Sequence, residues 1–289
     1  MEGNIMKKLL TLILAIAMVL SLTACGDKKE DAEPTESGSE AVDTDESEDD
    51  TEEEGLKYDK VIIGVDDTFA PMGFRDDNNE LTGFDIELAQ AVFDKLGIKV
   101  EFQVINWAMK EEELNQGNID MIWNGYTITD QRKEKVAFSH AYLDNKQVIV
   151  VLAESGIKTF DDLEGKVVAT QEDSASIEAL DDNPEFRDSL GEIVTFSTFD
   201  EAILDLEAGR SDAVVADSVL LDYIIAHKDD PSAYVILDQD LGSEEFGIGF
   251  RKDDTALLEA VEEAYDELME DGTIPALSEK WFGDKDVAK

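Results

Sequence analysis

The chain has few of the residues on which redox, metal and nucleophilic chemistry depend. Its 289 residues include one cysteine, Cys25, and two histidines, His140 and His227. A single cysteine forms no disulfide within the chain and no CxxC pair. Two histidines far apart in the sequence offer little material for a histidine-rich metal site or a Ser-His-Asp arrangement. The sequence therefore predicts no metal site, no cofactor and no catalytic residue.

Basic residues are also scarce. Lysine and arginine number 24 against 70 aspartates and glutamates, which gives a formal net charge of −46. Because a phosphate backbone is bound by clusters of lysine and arginine, this balance argues against nucleic-acid binding. Residues 25–55 are rich in acidic, serine and threonine residues and contain no aromatic residue. Such a segment buries too little apolar area to fold, so we predict a disordered acidic tether there.

One long apolar run is present, residues 9–22, and it is short for a membrane span, which needs ~20 apolar residues. The basic pair Lys7 and Lys8 precedes it, as in a secretory signal peptide. The sequence Leu-Thr-Ala-Cys that ends at Cys25 follows directly and resembles a bacterial lipobox. We therefore predict a lipoprotein signal peptide over residues 1–24 and lipidation of Cys25, which anchors the protein on the outer face of the cytoplasmic membrane. A plain signal peptide with a chance cysteine is the alternative.

Residues 55–289 alternate between short apolar strands and amphipathic helices, which indicates α/β domains with mostly parallel sheets. The predicted strands are 60–65, 100–104, 119–123, 166–170 and 212–216, and the predicted helices are 85–96, 111–116, 199–208 and 254–271, with a short helix capped by Thr159. Residues 114–122 and 206–214 echo one another as helix end, glycine, polar turn, aspartate and buried strand. Taken alone, this echo is weak evidence for two similar lobes.

Four polar residues directly follow predicted strands, and they are Asp66, Asn124, Gln171 and Asp217. In open parallel sheets, ligands bind beyond the carboxyl ends of the strands. Two facing lobes would therefore bring these residues to one cleft. A free amino acid needs a planar, always charged arginine for its carboxylate and an aspartate for its ammonium. Phe69 and Trp107 could enclose its side chain.

Three segments carry a family resemblance, and they are residues 83–89 (GFDIELA), 124–132 (NGYTITDQR) and 209–217 (GRSDAVVAD). Together, and in order over residues 56–283, they resemble the bacterial family 3 extracellular solute-binding proteins, the polar amino-acid binders of ABC importers. The resemblance implies a type II periplasmic-binding fold, in which two α/β lobes joined by a two-strand hinge close on a ligand. Lobe one would be 56–145 plus 246–289, lobe two would be 146–245, and the crossings would lie near 145–148 and 243–247.

The resemblance also implies roles for the residues that would hold the backbone of the ligand. Arg132 would grip the α-carboxylate, with help from Thr127 and the backbone around Ser174. Asp217, the Gly125 carbonyl and Thr127 would hold the α-ammonium.

The same resemblance places Phe69 and Trp107 along the side-chain pocket and Asp66 at its polar end. The other members of the expected set are Asn124, Tyr126 and Gln171. Because a carboxylate attracts hydrogen-bond donors and cations, Asp66 suits a ligand with a cationic or amide side chain better than an acidic one.

Several of these residues also have an ordinary structural interpretation. Arg132 could be a helix-surface charge, and Asp217 could cap the helix that follows it. Trp107 could belong to a core, and Asp66 could lie in a solvated turn. The acidic run 111–113 is expected on a solvated face.

The sequence favours a monomeric, lipid-anchored, extracytoplasmic binding protein that is not an enzyme. It would pass a free amino acid to the permease and ATPase of an ABC importer. A ligand sensor on the same fold is one alternative. A dehydratase-like enzyme is the other, and it would need a buried carboxyl as general acid, for which Asp66, Asp67 and Asp173 are the candidates.

Overall fold

The computed structural model describes residues 56–289. The predicted signal peptide, Cys25 and the acidic tether lie outside the described residues. The strands are β1 (Lys60–Val65), β2 (Thr68–Phe69), β3 (Gly73–Arg75), β4 (Leu81–Thr82), β5 (Lys99–Val104), β6 (Met121–Ile122), β7 (Ala137–Phe138), β8 (Leu143–Leu152), β9 (Val167–Gln171), β10 (Glu192–Phe196), β11 (Ala213–Asp217), β12 (Tyr234–Phe246) and β13 (Gly249–Phe250). The α-helices are α1 (Phe84–Leu96), α2 (Lys110–Asn115), α3 (Asp130–Lys133), α4 (Ala175–Asp182), α5 (Pro184–Ser189), α6 (Phe199–Glu207), α7 (Ser218–Ala226), α8 (Thr255–Glu270) and α9 (Thr273–Phe282).

Two five-stranded sheets organise these elements. The first sheet has the order β5-β1-β6-β13-β7, and the second sheet has the order β10-β9-β11-β8-β12. In the first sheet β1 pairs in parallel with β5 and β6, and in the second β9 pairs in parallel with β10 and β11. The predicted α/β class is therefore confirmed. A small third sheet of β2, β3 and β4 has no counterpart among the predicted strands.

Two long strands carry the chain between the sheets. β8 leads from the first sheet into the second, and β12 leads back to β13 in the first. They pair in antiparallel fashion from Leu143 with Phe246 to Leu152 with Tyr234. The two connections between the sheets are therefore hydrogen-bonded to each other along most of their length.

The helices cover the sheets with apolar faces. The buried residues of α1 include Ile86, Ala89, Val92 and Phe93, with the spacing of a helical stripe. The helix ends at Gly97, whose φ of 69° is left-handed and favours glycine. α1 packs against both α8 and α9. The segment after Thr159 forms a short 3-10 helix with the predicted cap.

The internal echo in the sequence corresponds to one repeated contact. Asp120, just before β6, accepts a hydrogen bond from the backbone N–H of Ile62 at 2.8 Å, and its own N–H donates to the Ile62 carbonyl at 2.7 Å. Asp212, just before β11, makes the same pair of bonds with Val167 of β9, at 2.9 and 2.8 Å. An aspartate at this position therefore fixes the register between parallel neighbours in both sheets.

Candidate functional site

A narrow cavity lies between the two sheets. Its lining residues are Asp66, Phe69, Trp107, Asn124, Gly125, Thr127, Arg132, Gln171, Ser174, Ala175, Phe199 and Asp217. Every predicted ligand residue except Tyr126 lies on this wall, and Ala175 and Phe199 are additional. The larger open groove beside Phe160 and Phe186 contains none of the predicted residues.

Arg132 reaches the cavity from the short helix α3. The Thr129 hydroxyl caps that helix by accepting the backbone N–H of Arg132 at 3.2 Å. The guanidinium donates to the Thr127 carbonyl at 3.0 Å, lies 3.1 Å from a Glu178 carboxylate oxygen, and stacks 4.8 Å from the centre of the Tyr126 ring. Since Arg132 is only 2% exposed, the interpretation of this residue as a helix-surface charge is wrong.

Tyr126 lies behind the cavity wall. Its hydroxyl donates to Glu111 at 2.9 Å, and its ring meets Trp107 edge-on at 5.9 Å between centroids. Glu111 is therefore buried, and its expected place on a solvated face is wrong. Burial would raise the pKa of the Glu111 carboxyl, but the nearby cations Lys110, Arg132 and Lys135 lower it overall.

Lys110 is a buried cation that the sequence analysis did not single out. Its ammonium donates to the Asp173 carbonyl at 2.9 Å, across the cleft between the sheets, and lies 5.3 Å from the centre of the Trp107 ring. Burial, with a smaller contribution from Arg132, lowers its pKa to about 8. Lys110 lies at helical spacing between Trp107 and Leu114, and this position in the sequence was the available signal of its burial. Trp107 is itself both packed in an apolar cluster and part of the cavity wall.

Asp217 ends β11 and points into the cavity wall. Its carboxylate oxygen accepts hydrogen bonds from Asn145 Nδ2 at 2.7 Å and Gln147 Nε2 at 2.9 Å. The side chain makes no capping hydrogen bond to α7, so the interpretation as a helix cap is wrong. Burial, together with the neighbouring carboxyl of Glu244, raises the pKa of Asp217 well above its ordinary value.

Asp66 follows β1 and is 6% exposed, so it does not lie in a solvated turn. One carboxylate oxygen accepts from the N–H of Thr68 at 3.0 Å and from its hydroxyl at 2.7 Å. The other oxygen accepts from Gln171 Nε2 of the second sheet at 2.7 Å. Burial raises the pKa of Asp66 despite these hydrogen bonds.

Asn124 joins the same end of the cavity. Its Oδ1 accepts the backbone N–H of Asp66 at 2.7 Å. Within residues 56–289 its buried Nδ2 has no hydrogen-bond partner. Gly73 lies so close that an added Cβ would stand 2.8 Å from this nitrogen, which explains the glycine at the start of β3.

Gly125 is hydrogen-bonded to a further buried acid, Asp85. Its φ of 58° is left-handed, and an added Cβ would lie 2.5 Å from the Phe69 ring. Its N–H donates to Asp85 Oδ2 at 2.7 Å, and the Tyr142 hydroxyl donates to the same oxygen at 2.8 Å. Asp85 is fully buried, and burial raises its pKa to about 7. The sequence offered only its place in the segment GFDIELA as a signal.

Ser174 and Phe199 line the cavity from the segments that follow strands of the second sheet. Ser174 precedes α4, and its hydroxyl donates to the Gln171 carbonyl at 2.8 Å. The Phe199 ring at the start of α6 faces the Phe69 ring at a centroid distance of 5.9 Å. The apolar wall of the cavity is therefore built from both sides of the cleft.

Other kinds of site find no support in the part of the chain that the structure describes. Within residues 56–289, no group of three or more His, Cys, Asp or Glu side chains is arranged to hold a metal ion. No helix in the same range is long and apolar enough to cross a membrane.

Comparison with known proteins finds relatives that are named for binding amino acids. The L-cystine-binding protein TcyJ of Escherichia coli is 34% identical over 231 residues, which cover 79% of this chain and 84% of that protein. The arginine-binding extracellular protein ArtP of Bacillus subtilis is 29% identical over 283 residues, which cover 96% of this chain and 98% of that protein. Both relatives are named for an amino acid that they bind and not for a reaction.

A solved structure extends the comparison to the fold. The crystal structure of an ABC uptake transporter substrate-binding protein from Streptococcus pneumoniae with bound histidine is 42% identical. It superposes with a TM-score of 0.78 over 80% of this chain and 95% of that chain. Two α/β lobes joined by β8 and β12 thus form a type II periplasmic-binding fold. The profile of the bacterial extracellular solute-binding proteins, family 3, matches residues 61–284, and the chain belongs to this extracytoplasmic family.

Proposed function

We propose that this protein captures a free polar L-amino acid with a cationic or amide side chain and delivers it to the permease and ATPase of an ABC importer. The observation that carries the proposal is the presence of Arg132 and Asp217 on the wall of one cavity. A free amino acid presents one carboxylate and one ammonium, and these two side chains are complementary to them. The amino-acid-binding relatives support the same function.

Arg132 takes the α-carboxylate. Its two terminal nitrogens each donate one hydrogen bond to a backbone carbonyl, that of Thr127 at 3.0 Å and that of Asp173 at 3.5 Å. Because each terminal nitrogen carries two hydrogens, each keeps one for a ligand carboxylate. The backbone N–H groups at the start of α4, beside Ser174, add donors at the same end.

Asp217 takes the α-ammonium, with the Gly125 carbonyl and Thr127 as further acceptors. The Thr127 hydroxyl donates to Glu244 at 3.2 Å, which leaves its oxygen free to accept from the ligand. Asp217 lies on the second sheet and Arg132 follows the first, so the two ends of the ligand backbone bind on opposite sides of the cleft.

The ligand side chain lies among Phe69, Trp107 and Phe199 and ends near Asp66. The hydrogen bonds that Asp66 accepts come from the neutral groups of Thr68 and Gln171. A cationic or amide group of the ligand side chain would therefore donate a further hydrogen bond to the Asp66 carboxylate and stabilise it. An acidic side chain would meet a like charge in a buried site, which is strongly unfavourable.

The division into a lobe of residues 56–145 plus 246–289 and a lobe of 146–245 gives the protein a hinge at β8 and β12. Closure over the ligand brings Lys110 to the Asp173 carbonyl and Asp66 to Gln171. Ligand binding shifts the population of the protein towards the closed form, and the importer recognises that form. We propose that the protein does this as a monomer.

We further propose that Cys25 carries a lipid that holds the protein on the membrane. The Cys25→Ser variant is expected to be released from the membrane or to remain as an uncleaved precursor. Membrane fractionation and the mass of the mature protein measure this. Unchanged processing and unchanged membrane attachment would contradict the anchoring proposal and leave the binding proposal intact.

Calorimetric titration tests the function. The purified protein is unfolded and refolded to remove bound ligand and then titrated with each polar amino acid. We expect one-to-one binding of a cationic or amide amino acid, and we expect Arg132→Ala to abolish it. The control is Arg187→Ala, which removes an exposed arginine on α5 and should leave affinity unchanged. Tight binding of glutamate or aspartate alone would contradict the ligand class, and no binding to any amino acid would contradict the function.

A further inference from the structure

A pair of carboxyl groups lies at the ammonium end of the cavity, and the strand order explains it. β8 lies between β11 and β12 in the second sheet. Gln147 of β8 is paired with Asp217 of β11, and Asn145 of β8 is paired with Glu244 of β12. Because alternate residues of a strand share a face, the two amides stand side by side with a carboxyl group on each flank.

The same two amides hold both carboxyl groups. Asn145 Nδ2 donates to Asp217 Oδ1 at 2.7 Å and to Glu244 Oε1 at 2.6 Å. Gln147 Nε2 donates to the same two oxygens at 2.9 and 3.0 Å. Two acceptor oxygens therefore converge on one pair of neutral donors, which brings the buried Asp217 and the half-buried Glu244 together.

The orientation of both amides is fixed by their own oxygens. Asn145 Oδ1 accepts from the Ser218 hydroxyl at 3.0 Å, and Gln147 Oε1 accepts from the Ser176 hydroxyl at 2.6 Å. Turning either amide over would break these hydrogen bonds and place a carbonyl oxygen against the carboxyl groups. The NH₂ groups must therefore face the acids.

The fixed charges near the pair do not balance it. Arg132 is the cation that acts on Asp217, and it also lies 3.1 Å from a carboxylate oxygen of Glu178 on α4. Lys146 and Glu245 alternate with the inward-facing positions of β8 and β12, so they point to the opposite face and pair with other residues there. One guanidinium thus stands among more carboxyl groups than it can neutralise.

We propose that Asp217 carries a proton before the ligand binds, favoured by burial and by the adjacent Glu244 carboxyl, and releases it to solvent when a ligand ammonium docks on Asp217. A buried acid beside a second carboxyl group favours its neutral form until additional positive charge arrives. The incoming ammonium supplies that charge, so Asp217 ionises and its proton leaves. Glu244 is a positioning residue that acts through Asp217. The proposal rests on the proposed function, because it needs an amino-acid ligand in this orientation.

The consequence is a defined pH dependence of affinity. Because the ligand-bound form holds one proton fewer, acid opposes binding. Below the pKa of Asp217 in the free protein, the affinity falls by up to tenfold for each pH unit. Above that pKa, the dependence disappears.

The test uses L-arginine and L-glutamine, whose α-ammonium groups stay charged between pH 6 and 8. Binding heats are measured at one pH in buffers of different ionisation enthalpy, so that the slope of heat against ionisation enthalpy counts the protons released. Wild-type protein should release close to one proton for each ligand, and Glu244→Gln should release almost none. The matched control is Glu245→Gln, which alters the next residue, an exposed partner of Lys289.

The possible outcomes separate this inference from the function. The inference is supported if wild type and Glu245→Gln release a proton on binding and Glu244→Gln does not. The Kd of Glu244→Gln should also stay nearly constant from pH 6 to 8. Normal binding by the wild type without proton release overturns the inference and leaves the function intact. Equal release by all three proteins overturns it too, because other groups must then supply the proton. Binding of neither amino acid overturns the proposed ligand class and this inference with it.

Discussion

Asp66 and Asp217 occupy equivalent places at opposite ends of the cavity, yet their surroundings differ. Each lies at the carboxyl end of a buried strand, β1 or β11. Asp66 stands with the neutral donors of Thr68 and Gln171, whereas Asp217 shares its amide donors with a second acid, Glu244. The strand therefore determines where each carboxyl lies, and the neighbouring strands determine its charge.

This difference assigns the two ends separate tasks. An acid that stands beside a second carboxyl group gains most from a ligand group that is always cationic, such as an α-ammonium. A single acid held by neutral donors can accept either a cationic or an amide group. We expect the Asp217 end to control whether any amino acid binds, and the Asp66 end to control which one.

The largest expected effect is that of Asp217→Asn on all ligands. The substitution keeps the shape and the acceptor oxygen but removes the charge that meets the ammonium. Losing one partner of a buried charged pair typically costs 2–5 kcal/mol, so we expect about 4 kcal/mol, or roughly a thousandfold in Kd. Calorimetry with L-arginine and L-glutamine measures this, and Asp238→Asn on the exposed face of β12 is the control. If the affinity for both ligands fell by less than tenfold, Asp217 would not control the binding of all amino acids.

Asp85 extends the comparison to a third buried acid, one that holds Gly125 rather than a ligand. Its pKa of about 7 in the folded protein exceeds the ordinary value of 3.8. A raised pKa favours the folded state at low pH, and this contribution is lost as the pH rises through about 7. Between pH 5 and pH 8 the loss is about 3 kcal/mol.

Denaturant unfolding at several pH values measures that contribution. The difference in unfolding free energy between wild type and Asp85→Asn should change by this amount from pH 5 to pH 8, in favour of the variant at high pH. Parallel pH profiles of the two proteins would show that Asp85 does not titrate in this range.

Asp66→Asn should change selectivity rather than abolish binding. A hydrogen bond to a charged group contributes about 2 kcal/mol, so we expect roughly a thirtyfold weaker affinity for L-arginine. L-glutamine, whose amide can bind either an Asp or an Asn oxygen, should lose much less. Equal losses for the two ligands would mean that Asp66 does not meet the ligand side chain.

Lys110→Met should have the smallest effect, on release rather than recognition. The variant loses the hydrogen bond to the Asp173 carbonyl across the cleft but keeps an apolar chain beside Trp107. We expect about 1 kcal/mol, or roughly fivefold faster ligand release, in stopped-flow displacement. Lys133→Met, which alters an exposed lysine on α3, is the control, and unchanged release from Lys110→Met would show that this contact does not hold the cleft closed.

Local signals in the sequence were enough for several of the regular elements, whereas others, such as β10, α4 and α5, were not predicted. The apolar run of β1 and the helical stripe of α1 were predicted nearly to their observed ends, because burial periodicity and a terminal glycine are local properties. The polar residues after strands led to Asp66 and Asp217 for the same reason. Glu111 was misplaced, because its burial depends on the Tyr126 hydroxyl, which is close in space but not in the local pattern.

By itself, the sequence determined the class of fold, the approximate ends of several elements and the side chains that stand beyond their strands, since all of these follow from patterns along the chain. Only the tertiary structure decided which of these side chains share a site and what charge they carry. Asn145 and Gln147 read as ordinary polar residues of a strand, and Glu244 as one more acid in an acidic chain. Their meeting with Asp217 requires β8 to lie between β11 and β12. Long-range strand order, which no local pattern encodes, therefore sets the electrostatics of the site.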